Sequence, residues 1–63
     1  MNYTAEQQKM VRQTLEVLND LRRHAALGRT ARATMDMPLY REALSKTEEL
    51  AERIERRLNR QLS

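Results

Sequence analysis

Apolar side chains recur every three or four positions along two long stretches of the chain, with one irregular segment between them. The longer stretch runs from Pro38 to Leu62, and no glycine or second proline interrupts it. Within it Tyr40, Ala43, Leu44, Thr47, Leu50, Ala51, Ile54, Leu58 and Leu62 mark one face of an α-helix. Arg41, Glu42, Lys46, Glu48, Glu49, Glu52, Arg53, Glu55, Arg56, Arg57 and Arg60 fall between them, so the helix is amphipathic. Its acids come early and its arginines late, which complements the helix dipole. Glu42–Lys46, Glu49–Arg53 and Glu52–Arg56 have the four-residue spacing that adds ~0.2–0.5 kcal/mol per pair.

The first stretch opens at Thr4, an N-cap residue with Gln7 placed three positions later to complete a capping box and Glu6 in the first turn. Met10, Val11, Leu15, Val17, Leu18, Leu21, Ala25 and Leu27 follow. Val11, Leu18 and Ala25 recur every seven residues with Thr14 and Leu21 between them, the pattern of a packing seam. Arg22, Arg23 and His24 suit the negative end of the dipole, and Gly28 is placed to end the helix in a left-handed conformation. The spacing predicts helix 1 over about 4–27, a loop over 28–37, and helix 2 over about 38–62. In the loop, GRTARATMDM, the Met-Pro step opposes continuous helix, Asp36 can cap helix 2, and Pro38 fits its first turn.

Two such helices on one short connection make an all-α antiparallel hairpin, a single domain. Its expected core and dimer residues are Val11, Leu15, Leu18, Leu21, Leu44, Leu50, Ile54 and Leu58. A hairpin covers one seam only, so Met10, Val17, Leu44, Ala51, Leu58 and Leu62 would stay wet. The chain has 63 residues and no cysteine, and a single core of that size supplies about 3–5 kcal/mol. Without disulfides, and with one histidine too few for a structural metal site, self-association is the remaining remedy. A two-fold homodimer forming a four-helix bundle is the expected assembly. No apolar run approaches the ~18–20 residues of a membrane span and no signal peptide is recognisable, so a cytoplasmic protein is expected. The net charge of +3 is modest and does not select a partner.

Three groups could carry chemistry. Arg22, Arg23, Arg29 and Arg32, with His24, fall in a stretch from residue 21 to residue 35 that contains no acid. They read either as a surface for phosphate or carboxylate groups, or as dipole compensation followed by a solvated loop. Arg53, Arg56, Arg57 and Arg60 alternate with Glu49, Glu52 and Glu55, and the plain reading is a solvated, locally neutralised face. Met35, Met37, Leu39 and Tyr40 either plug the end of the bundle over Leu21 and Ala25 or form an adaptable protein-binding patch. The helices are too long for a helix-turn-helix reader. With Tyr3 and Tyr40 the only aromatics, a single-strand binder lacks stacking platforms, which leaves shape-directed nucleic-acid binding by a bundle face. Asp20 and His24 share a helix face, as an oriented base or as a surface pair, but no nucleophile or glycine-rich loop accompanies them. No enzyme activity, cofactor, metal or small-molecule substrate is expected.

The length and hairpin plan resemble Rop, the plasmid-encoded regulator of primer RNA, a dimeric four-helix bundle that binds RNA loops through one face. Tyr40-Arg41-Glu42-Ala43-Leu44, opening a long second helix after a polar loop, looks like the start of helix 2 in small anti-activator proteins of Pseudomonas phages. Those are two-helix dimers that inhibit host regulators, including a transcription factor, by protein contact. The likeness covers five residues and the helix–loop–helix layout, and the charge pattern departs from theirs beyond Leu44. It implies a small regulatory inhibitor that binds a host protein. The loop-end clusters, read on their own, give Arg22, Arg23, Arg29, Arg32, Met35, Met37, Leu39 and Tyr40 as the expected contact residues. The alternative is a nucleic-acid-binding bundle that uses Arg22, Arg23, Arg29 and Arg32.

Overall fold

A computed structural model describes residues 4–62. Two helices, α1 (Ala5–Ala33) and α2 (Met37–Leu62), pack against each other as an antiparallel hairpin with extents of 47 × 19 × 13 Å. Thr4 caps α1 as its sequence implies. The Gln7 N–H donates to Thr4 Oγ1 at 3.1 Å, and the Thr4 N–H donates to Gln7 Oε1 at 2.8 Å. Two of the orphan donors at the helix start are thereby satisfied.

Helix α1 does not stop at Gly28. It continues to Ala33, and the ten-residue loop expected at 28–37 shrinks to Thr34, Met35 and Asp36. Gly28 is buried inside the helix without a positive φ. Its role is close approach: a Cβ there would lie 3.5 Å from that of Ala43 on α2. The left-handed position belongs to Met35, with φ 62°. The Met35 N–H donates to the Arg32 carbonyl at 3.1 Å and the Asp36 N–H to the Ala31 carbonyl at 2.8 Å. That pair of bonds is the Schellman closure, made here around a methionine rather than a glycine. Asp36 then caps α2, its Oδ1 accepting from the Leu39 N–H at 3.2 Å and its carbonyl from the Tyr40 N–H at 2.9 Å. Pro38 sits in the first turn, where a missing N–H costs nothing.

The seam on α1 differs from the expected one. Met10, Thr14, Val17, Leu21, His24, Gly28 and Ala31 are buried or half-buried, whereas Val11 and Leu18 are exposed. Leu21 and Thr14 are common to both patterns, but the alternate row is 10, 17, 24 and 31 rather than 11 and 18, with Ala25 half-buried at the edge. Small residues at the turn account for the change. Gly28 and Ala31 are the α1 residues that let α2 approach most closely, and the rotation set there carries back along the helix in seven-residue steps.

Helix α2 faces inward with Ala43, Leu50 and the half-buried Tyr40, Thr47, Ile54 and Arg57. Of the expected core and dimer residues, Leu21, Leu50 and Ile54 lie in this seam; Val11, Leu15 and Leu18 lie outside it, as do Leu44 and Leu58, both expected to stay wet on a lone hairpin. Among the described residues Leu50 is the one large side chain wholly enclosed. Among the charged pairs, Glu49 lies 3.6 Å from both Arg53 and Lys46, so Lys46 reaches forward to Glu49 rather than back to Glu42. Both pairs are about half exposed, so they contribute at most about 1 kcal/mol each.

Candidate interaction surfaces

The seam divides the outside of the hairpin into two faces. Seven-residue steps join Val11, Leu18 and Ala25 on α1, and Leu44, Ala51 and Leu58 on α2. Ala25 and Leu44 line one groove together, so both rows lie on the same face. Val11, Leu18, Leu44 and Leu58 are each 40–48% exposed, and Leu15 beside them is 57% exposed. This face is an apolar stripe along the length of the molecule. On the opposite face Gln13 and Leu27 lie beside Glu42, Lys46, Glu49, Arg53, Arg56 and Arg60. Apart from Leu27 and Leu39 near the turn, that side is polar.

At the loop end the structure gathers some of the expected contact residues and disperses others. Arg29 and Arg32 border a groove of about 240 Å³ whose remaining lining is His24, Ala25, Gly28, Tyr40, Leu44 and Thr47. Arg22 and Arg23 are exposed but do not line it. Arg22, seven residues before Arg29, lies on the same side of α1 one row further from the turn, whereas Arg23 points about 100° away from Arg22. Met35 is held at the tip of the turn with 79% of its surface exposed, and Met37 is 41% exposed. Met35 therefore does not plug the bundle end; the left-handed backbone directs it outward. Tyr40 and Ala25 line the same groove, with Arg29 and Arg32 on its border. Leu39 belongs to a larger groove of about 490 Å³ on the polar face, together with Leu27, His24 and Lys46. Tyr3 lies outside the described residues.

His24 is not paired with the Asp20 carboxylate. Its Nδ1 lies 2.8 Å from the Asp20 main-chain carbonyl oxygen. A carbonyl can only accept, so the proton sits on Nδ1 and the imidazole closes a local helix contact. Among the described residues no group of three metal-ligating side chains comes together, and no helix is long and apolar enough to cross a membrane.

The arrangement that sequence reasoning undervalued is at the other end. Arg53, Arg56, Arg57 and Arg60 line a single groove of about 270 Å³ with Met10 and Gln13. Arg57 is half-buried, and its Nη1 donates a long bond of 3.5 Å to Gln13 Oε1 across the seam. Glu49, Glu52 and Glu55 alternate with these arginines in sequence, yet among the described residues no carboxylate lines the groove. The signal was present in the numbering: 53, 56, 57 and 60 follow the three- and four-residue steps of one helix face. Comparison with protein-family models, with curated proteins and with solved structures finds no match to this chain.

Proposed function

We propose that the chain is a small non-enzymatic regulatory protein that binds, and by binding inhibits, a host protein such as a transcription regulator. Two copies pair along their apolar stripes into a four-helix bundle, and the loop end of that bundle makes the contact. The single observation supporting a protein partner is the chemistry of the loop end. Two flexible methionines are presented outward at the turn, at the end of the hairpin where Arg29 and Arg32 are exposed. Methionine adapts to another protein's surface, and arginine beside it selects a partner carrying carboxylates. Pairing is supported by the poverty of the hairpin's own core, which encloses one large side chain while five large apolar residues line the stripe outside it. Tyr40, Ala43 and Leu44, from the segment that resembles phage anti-activators, build the loop-end packing and groove, so that segment serves the hairpin itself.

Two measurements test this reading. Sedimentation should give a dimer for the native chain and a monomer for Leu18→Glu, whose 40% exposure lets a charge be tolerated in the isolated hairpin. A compact native monomer would end the bundle, and an unchanged Leu18→Glu dimer would move the interface elsewhere. Capture from the native cell should yield a protein that Met35→Asp/Met37→Asp fails to retain and that persists as salt is raised. Identical capture by both chains would end the loop-end assignment.

A further inference from the structure

The arginine groove near the free chain ends lies on the opposite face from the apolar stripe, so pairing along the stripe leaves it open to solvent. We propose that this groove binds the phosphate groups of a nucleic-acid backbone, without reading sequence. Four guanidinium groups share one groove of about 270 Å³, and among the described residues no carboxylate takes part in its lining. Like charges at helical spacing repel one another, and an anion in the groove relieves that repulsion. Arg57 is held by Gln13 at 3.5 Å and Arg53 by Glu49 at 3.6 Å, which lowers the ordering cost of binding.

The identity of the anion follows from what else the groove offers. Met10 is its only apolar lining residue among those described, which gives an amphipathic protein helix no row of anchors. Arg53 to Arg60 spans about 10 Å of helix axis at 1.5 Å per residue, the length over which a duplex strand presents about three phosphates. Guanidinium is planar and always charged, and grips phosphate through two parallel hydrogen bonds. Among the described residues no aromatic ring lines the groove, which favours contact to the backbone over stacking of bases. The two copies of a bundle would carry one such groove each. The inference does not depend on the protein partner proposed for the loop end.

The test is fluorescence anisotropy of a labelled duplex of arbitrary sequence, titrated with the native chain over a range of salt, with polyglutamate as competitor. Binding should weaken log-linearly with salt, with a slope of about −2 to −4 for two to four phosphate contacts. Arg56→Gln/Arg60→Gln should flatten that slope by about two and weaken binding equally on unrelated sequences. Arg56→Lys/Arg60→Lys, which keeps the charge, should restore most of it. Helix content by circular dichroism shows whether each variant is folded, and both residues are exposed, so neither change empties the core. No binding at low salt, or a slope unchanged by Arg56→Gln/Arg60→Gln, overturns the proposal. Loss of binding through Arg29→Gln/Arg32→Gln alone also overturns it, because the anion would then sit at the loop end. Tighter binding of polyglutamate than of the duplex does so too, because the groove would then be a site for an acidic protein.

Discussion

Replacing Gly28 with alanine should stabilise the protein, and the sign of that change distinguishes two accounts of the chain. If Gly28 ended α1 in a left-handed conformation, a side chain there would cost about 1–2 kcal/mol. In the structure Gly28 lies inside α1 with no positive φ. An added Cβ would meet that of Ala43 at 3.5 Å, which is ordinary van der Waals contact. Alanine then gains its helix propensity over glycine, about 0.8–1.0 kcal/mol. The new methyl is also buried between the helices, for which full desolvation contributes up to about 0.8 kcal/mol. Slight separation of the helices offsets part of that second term, so a net gain of about 1 kcal/mol is expected. For a domain of this size that raises Tm by roughly 4–8 °C. The assay is thermal unfolding followed by circular dichroism, native chain against Gly28→Ala, at one fixed protein concentration because self-association makes Tm concentration-dependent. Gly28→Leu provides the contrast: its side chain has to push Ala43 away, and overpacking of that kind costs about 1–3 kcal/mol. A lower Tm for Gly28→Ala would refute both the continuous helix and the close approach at Ala43.

The turn and the core yield further tests by the same measurement. Met35→Gly should raise Tm, because about 1–2 kcal/mol of left-handed strain is relieved against about 0.5–1 kcal/mol of added chain entropy, and the exposed methionine gives up little packing. Met35→Val should lower it, since a β-branched residue fits a positive φ worst; equal Tm values for the glycine and valine variants would contradict the turn geometry. Asp36→Ala removes the cap of α2 and should cost about 0.5–2 kcal/mol, while Asp36→Asn, which retains the accepting oxygen, should lose much less. Leu50→Ala empties the most enclosed position and should cost about 2–5 kcal/mol, enough to unfold a hairpin with so little other core; a Tm within a few degrees of the native value would mean that stability resides elsewhere.

Periodicity and capping were legible along the chain because both are local. The three- and four-residue recurrence of apolar side chains requires helices wherever it runs, and Thr4 with Gln7, like Asp36 before Pro38, marks a helix start by groups only a few positions apart. The antiparallel return of α2 follows from two long helices on one short connection. What could not be read was anything set by the second helix: whether Gly28 ends α1 or admits Ala43, which row of α1 turns inward, and which arginines meet. A glycine suits a left-handed cap and a tight crossing equally well, and only the neighbour 3.5 Å from its missing Cβ tells them apart. Choosing the crossing rotates α1 so that Val17 and His24 face α2 while Val11 and Leu18 face out, and it leaves Met35 to take the left-handed turn. The same packing places Gln13 beside Arg57 and opens the arginine groove on the polar face, though 44 residues of sequence separate the two side chains. Sequence alone thus determined the two amphipathic helices, because a helix's period belongs to its own backbone. Tertiary structure decided how each helix is turned about its axis, because rotation is set by the side chains of the helix it touches.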